Sequence, residues 1–192
     1  MRCMSERGEE PVALPPALIA ALADAASSRQ DPSPELVAEL IAALPDLQAL
    51  AAEPQDGHPY SRRTLHAEDA VEIMVARWGA PSRCAPHDHG GSSGFVTVIS
   101  GHLEEYRYRW DGTDLAVHDT IPRDPGDAYG FGPSVVHAMG TEVGGVTLHV
   151  YAPAPKRMSV YDLDRRLVLD LVGDFGAWVP DGDHPSAPFD EA

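Results

Sequence analysis

The sequence predicts an all-β dominated domain, an antiparallel sandwich or barrel of short strands, with α-helices in front of it. Three observations predict this. From residue 69 onward, short runs rich in β-branched and aromatic residues recur, punctuated by Gly, Pro and Asp. No long helical stretch alternates with these runs, which argues against a parallel sheet. Ahead of them, apolar residues recur instead at spacings of three and four.

In chain order, residues 1–15 read as disordered. "PALIAALADAASSRQ" (16–30) is rich in Ala and Leu, both good helix formers. "SPELVAELIAAL" (33–44) has Ser33 placed as an N-cap, Pro34 at the first helical position and Pro45 to stop it. Leu36, Val37, Leu40, Ile41 and Leu44 form one stripe, and both helices are expected to pack against the main body. Strands are expected over 69–78, 94–100, 102–110, 113–121, 126–132 and 144–152, continuing through 158–164 and 166–172. The tail from residue 180 reads as loose. The chain then divides into an N-terminal tail and helical appendage (1–57), a β core (58–175) and a C-terminal tail (176–192).

With 192 residues, 43% of them apolar, the chain suffices for one globular core and is short for two. A formal net charge of -16 argues against binding nucleic acid or an anionic membrane through a basic surface. Cys3 and Cys84 are the only cysteines, too few for a disulfide scaffold and suited to a reducing cytoplasm. The opening "MRCMSERGEEPVALPP" lacks the apolar stretch of a signal peptide, and no run approaches the roughly 20 apolar residues of a membrane span. The expectation is a soluble, cytoplasmic protein with no nucleic-acid and no membrane partner.

Nine histidines stand at 58, 66, 87, 89, 102, 118, 137, 149 and 184. His87 and His89 belong to "CAPHDHGGSSGF" (84–95). On a strand, residues i and i+2 project from one face, so the pair can offer two neutral nitrogens to one spot. Alone, such a pair is a weak signal. Its setting strengthens it: Gly79 precedes the pair, Gly94 follows it, and Gly101 closes the next run. "PGDAYGFGPSVVHAMG" (125–140) then brings a Pro-Gly turn and His137.

This arrangement resembles the two-part signature of the cupin superfamily. The resemblance implies a jelly-roll β-barrel with a metal held by His87, His89 and His137. One position departs, because Gly94 stands where cupins usually carry a glutamate ligand. Three neutral ligands leave the full charge of a divalent metal in place, and such a centre favours an anionic ligand, a thiolate being a good candidate. Zinc also accepts three histidines and a water, so the donor set leaves the metal open.

Over roughly residues 58–164 the chain resembles cysteine dioxygenase and its relatives, the thiol dioxygenases of that superfamily. The likeness runs through "YSRRTL" (60–65), "ARWGAPSRCAPHDHGGSSGFVTVISGHLEEYRYRW" (76–110), "GFGPSVVHAMG" (130–140) and "TLHVYAP" (147–153). It implies an Fe(II) cofactor and conversion of a small thiol, L-cysteine foremost, and O2 to the sulfinic acid. It maps a hydrogen-bonded relay onto Thr147, His149 and Tyr151, which alternate along one expected strand and so share a face. It also maps onto Arg62 the guanidinium that grips a substrate carboxylate through two parallel hydrogen bonds, with Tyr60 beside it. Arg63 is the competitor one residue along. Relatives that prefer 3-mercaptopropionate commonly carry glutamine at that position, so Arg62 leans toward an amino-acid thiol.

Other departures bear on the substrate. The crosslinking cysteine of the mammalian enzymes corresponds to Gly94, so Tyr151 is expected to be unmodified. Thr147 replaces the usual serine. "YAPAP" replaces "YSPP", and the sequence leaves the bond before Pro153 open between cis and trans. The small residues "GGSSG" could leave room for a larger thiol such as ergothioneine. Three alternatives therefore stand beside cysteine oxidation: the same chemistry on ergothioneine or 3-mercaptopropionate, a non-catalytic metal- or ligand-binding cupin, and a zinc-dependent hydrolase or isomerase. Cys84 reads as a buried structural cysteine, Met139, Trp78 and Trp110 as packing residues, and His102 and His118 as solvent-facing. His58 and His66 flank Arg62, in what reads as a loop. The oligomeric state stays open.

Overall fold

The computed structural model describes residues 12–173 and 176–189; Cys3 and most of the segment expected to be disordered lie outside them. Helices come first: α1 (Pro16–Ser27), α2 (Pro34–Ala43) and a single turn, α3 (Leu47–Leu50). Ser33 caps α2 as expected, its hydroxyl accepting the Leu36 N–H at 3.2 Å. The expected strands are found as β2 (Val71–Trp78), β4 (Ser93–Gly101), β5 (Leu103–Trp110), β6 (Leu115–Arg123), β7 (Ala128–Phe131), β9 (Gly145–Ala152), β10 (Arg157–Asp162) and β11 (Leu167–Val172). Four more complete the set: β1 (Tyr60–Glu68), β3 (Ser82–Arg83), β8 (Val136–Thr141) and β12 (Ser186–Pro188).

Two of these correct the sequence reading. Arg62 lies on a nine-residue strand, β1, paired with β2, and not in a loop. Its run of polar residues hides the strand, which is defined by its ladder with β2. The tail read as loose is tied down: β12 pairs with β11, and Phe189 is buried against Trp110 and Tyr161.

The strands form antiparallel sheets in the orders β1-β2-β9-β4-β7, β3-β8-β5-β6 and β10-β11-β12. This is the jelly-roll arrangement of a cupin, with one correction: the sheets do not close into a barrel. Among the described residues, no ladder joins the edges of the five-stranded sheet to the others. The layers are held by packing instead. The four- and three-stranded sheets are knitted by the segment around His87, which forms backbone bridges to both His137 and Val160.

The five-stranded sheet is buried on both faces. Ile73 and Val75 of β2 and Val146, Leu148 and Val150 of β9 point outward into a cluster with Leu18, Leu22 and Ala26 of α1. Burying such aliphatic side chains is worth about 1.5–3 kcal/mol each, which is why the helices stay docked. The alternate positions, Met74, Ala76 and Trp78 on β2 and Thr147, His149 and Tyr151 on β9, point the other way. Strand phase thus gives one face to the helices and one to the cavity. No helix among the described residues is long and apolar enough to cross a membrane.

Candidate metal centre

His87, His89 and His137 converge. Each is buried, and their ligand atoms lie within 4.8 Å of one another. Backbone pairing brings two of them together: His87 N–H donates to the His137 carbonyl at 2.9 Å, and His137 N–H to the His87 carbonyl at 3.0 Å. The pair His87–His89 is therefore not on a regular strand, as the sequence suggested, but on an extended segment held by bridges. Asp88, between them, fixes that segment by accepting from Ser159 N–H and Gly90 N–H, both at 2.9 Å. Gly90 then turns the chain with a positive φ of 61°, where a Cβ would strike the Arg157 carbonyl at 2.1 Å.

The ring nitrogens are oriented individually. His87 Nδ1 donates to the Ala85 carbonyl at 3.0 Å, which leaves Nε2 free as a lone-pair donor. His137 Nδ1 lies 3.3 Å from Glu105 Oε1. His89 Nδ1 is buried without a hydrogen-bond partner among the described residues, while its ring stacks on Phe131. Leaving such an atom unpaired costs about 1–3 kcal/mol. Three buried ring nitrogens converging on one point fit a divalent transition metal.

Electrostatics suit the same role. Burial, reinforced by His137, pushes His87 down to about 3, against a lift from the Ala85 carbonyl. Burial and the neighbouring imidazoles hold His89 well below its ordinary value. Neutral imidazoles need release no proton before they bind a metal. Burial pushes the Glu105 carboxyl up, but hydrogen bonds from His137, Arg123 and Arg107 overcome it and bring the group to about 2.

A cavity of about 30 Å³ opens beside the trio. His149 and Tyr151 line it, with Thr147 behind them: Thr147 Oγ1 lies 2.8 Å from His149 Nε2, and His149 Nδ1 lies 3.1 Å from the Tyr151 hydroxyl. Arg62 and Tyr60 reach it from β1. Arg63, on the opposite face of that strand, turns to the Leu50 carbonyl at 3.5 Å. Tyr60 is anchored through its hydroxyl, which accepts the Ala177 N–H at 2.8 Å. His58 stacks on Trp178, and neither it nor His66 lines the cavity.

A family model described as cysteine dioxygenase type I matches residues 34–164, roughly two thirds of the chain. The chain belongs to the cysteine dioxygenase type I family. Among solved structures, an uncharacterised conserved protein with a double-stranded β-helix domain from Klebsiella pneumoniae is similar at a TM-score of 0.51 and 18% identity, over 62% of this chain and 96% of its own. An RmlC-like cupin from Shewanella frigidimarina is similar at a TM-score of 0.44 and 18% identity, over 55% of this chain and 86% of its own. The first likeness supports the fold. Family membership and the buried histidine trio together support a metal-dependent dioxygenase of the cupin type.

Within this cysteine dioxygenase family frame, the departure at Gly94 has a structural cause. A Cβ there would lie 2.3 Å from the Val150 carbonyl and 2.6 Å from Phe131 Cζ. The Phe131 ring fills the space beside Gly94 that a glutamate ligand or a cysteine would use. The Ala152–Pro153 bond, left open by the sequence, is cis. Cys84 accepts the Met139 N–H at 3.2 Å, and burial pushes its thiol up to about 12, which fits its reading as a structural cysteine.

Several cavity residues escaped the sequence reading. Met139, taken as packing, is a wall of the cavity, as are Met74, Met158 and Glu72. Trp78 lines it too, and its indole N–H donates to Thr147 Oγ1 at 2.9 Å. The phase of β2, inward at Met74, Ala76 and Trp78, was the available signal. For Glu105 the signal was a carboxylate in phase with the buried Leu103 on β5.

Proposed function

We propose that this protein is an iron(II)-dependent thiol dioxygenase, converting a small thiol, L-cysteine foremost, and O2 to the corresponding sulfinic acid. The observation that carries the proposal is the shared cavity: three imidazoles, one guanidinium and one phenol at the end of a hydrogen-bonded chain line the same small space. His87, His89 and His137 hold the metal. When bound, iron supplies the redox chemistry that transfers both atoms of O2 to the thiol sulfur. Thiol and O2 add without loss of atoms, so no further reductant is needed.

The other residues bind and orient. Arg62 grips the substrate carboxylate and sets which end of the molecule faces the histidines. The Tyr151 hydroxyl, kept protonated because burial raises it well above its ordinary value, donates a hydrogen bond toward the reacting groups. Met74, Met139 and Met158 exclude water around them. The cavity of about 30 Å³ shares Arg62, Glu72, Pro155 and Met158 with a second one of about 240 Å³. One water needs roughly 10–15 Å³ on this scale, so the smaller of the two takes a small head group.

The test is oxygen consumption by anaerobically Fe(II)-loaded protein, with L-cysteine, cysteamine, 3-mercaptopropionate and ergothioneine in parallel and His89→Ala as control. A product heavier by two oxygen atoms from L-cysteine, absent in the variant, is the expected result. Turnover of another thiol alone reassigns the substrate. Bound iron with no oxygen uptake on any thiol overturns the reading in favour of a binding-only cupin.

A further inference from the structure

Glu105 is the most deeply buried carboxylate near the cavity, with no exposed surface, and the relay does not use it. It sits on β5, on a diagonal from His137 of the neighbouring strand β8. Both of its oxygens are committed. Oε1 accepts from Arg107 Nε at 3.1 Å and faces His137 Nδ1 at 3.3 Å. Oε2 accepts from Arg123, through Nε at 3.1 Å and through Nη2, and from Arg107 Nη2 at 3.4 Å. Arg123 is itself fixed, its guanidinium lying 3.6 Å above the Tyr129 ring.

Such a clamp is costly to build if it serves packing alone. A buried ion pair is weak support for stability, because desolvation takes back most of the attraction. The clamp does achieve two things at His137. It aims a charged acceptor at Nδ1, so the proton resides there and Nε2 is presented to the cavity. It also places a negative charge one imidazole away from a ligand set that has none of its own. The other ligands are treated differently: His87 meets a neutral carbonyl, and His89 Nδ1 meets no partner among the described residues.

We propose that Glu105 is a positioning residue of the metal centre: held by Arg107 and Arg123, it orients His137 as an Nε2 ligand and raises that ligand's donor strength. The proposal rests on the reading of His87, His89 and His137 as metal ligands. In metal sites generally, loss of such a partner weakens metal binding about 10–100-fold.

The test uses Co(II) and Zn(II) as probes on the full chain. Co(II) is titrated by its visible absorption into the parent, Glu105→Gln and the double variant Glu105→Gln/Arg123→Gln, in which the more deeply buried of the two guanidiniums is not stranded by loss of the carboxylate. The expected result is tight binding by the parent and roughly 10–100-fold weaker binding by both variants at unchanged fold content. The iron midpoint potential is expected to rise in Glu105→Gln, because oxidised iron loses a nearby negative charge. Folded variants that bind Co(II) within twofold of the parent, at an unchanged potential, overturn the proposal and leave Glu105 a packing residue. A parent that binds no Co(II) instead sinks the reading of the metal site itself.

Should neither variant fold, the parent still decides. In Zn(II)-loaded, ¹⁵N-histidine-labelled protein, the His137 Nδ1–H resonance is expected downfield of that of His87, whose acceptor is neutral. A His137 signal no further downfield than that of His87, or no proton on its Nδ1, overturns the proposal.

Discussion

The indole N–H of Trp78 donates to the Thr147 hydroxyl at 2.9 Å, in the buried core. This contact sets the direction of the relay. Thr147 Oγ1 has two partners among the described residues, Trp78 and His149. Trp78 can only donate, so the Thr147 proton goes to His149 Nε2. The His149 proton then sits on Nδ1 and points to the Tyr151 oxygen, which leaves the Tyr151 proton free for a ligand in the cavity.

Thr147→Val removes the hydroxyl that joins Trp78 to His149 while keeping the shape. We expect kcat for thiol oxidation to fall by about 10–100-fold with KM little changed, the low end of what a positioned proton donor contributes. Trp78→Phe, which leaves the threonine in place, is expected to cost less, and Thr147→Ser to restore most of the activity. Steady-state oxygen uptake checks all three. Equal activity in Thr147→Val and the parent would show that the relay's direction is immaterial.

Arg62 and Arg63 occupy opposite faces of β1, so their substitutions separate cleanly. Arg62→Gln is expected to raise KM for L-cysteine by about 10–100-fold, the loss of charge-assisted hydrogen bonds worth roughly 1.5–3 kcal/mol. Arg63→Gln, where the arginine turns to the Leu50 carbonyl, is expected to leave KM within about twofold. The reverse ranking would put the carboxylate on the other residue.

Gly94→Cys tests whether Phe131 closes the space beside Tyr151. The new Cβ meets the Val150 carbonyl and the Phe131 ring, so we expect a loss of about 1–3 kcal/mol, read as a lower melting temperature. Intact mass after turnover should show no loss of two hydrogens, because the thiol cannot reach Tyr151 without displacing the ring. A crosslinked product at unchanged stability would refute the packing argument.

The buried histidines make the metal-free protein sensitive to acid. His87 and His149 are held at about 3 in the fold, against an ordinary value of 6.5. Between these values the unfolded chain binds protons that the folded one refuses, so stability rises with pH. On acidification from about 6.5 toward 3, each histidine withdraws up to about 1.4 kcal/mol per pH unit. Glu105, lowered from 4.5 to about 2, contributes in the same direction only below about 4.5. Chemical denaturation of the metal-free protein at pH 7.5, 6.0 and 5.0 should therefore show a falling unfolding free energy. A His149→Gln variant should show a shallower fall. A flat profile over this range would mean that the histidines are not buried and neutral.

Much of the candidate site was legible because its signals are local. The HxH spacing, the capped helix at Ser33 and the i, i+2 alternation of Thr147, His149 and Tyr151 concern residues that are neighbours along the chain, where backbone geometry alone fixes which side chains share a face. What escaped depends on pairing across the chain. Arg62 looked like a loop residue because β1 is a strand only through its ladder with β2. The closing segment looked loose because β12 is ordered only by β11.

By itself, the sequence determined most of the elements, the cupin class and the gathering of His87, His89 and His137, since these follow from local period and from the motif that carries the three histidines. Tertiary structure alone decided what stands behind those side chains. Trp78 meets Thr147 across 69 residues, and Glu105 meets His137 across 32, through the registers of β2 with β9 and β5 with β8. Phe131 occupies the place beside Gly94 only because β4 and β7 pair in one register. Register is set by the packing of both faces of a sheet at once, a global property that no short stretch of sequence contains.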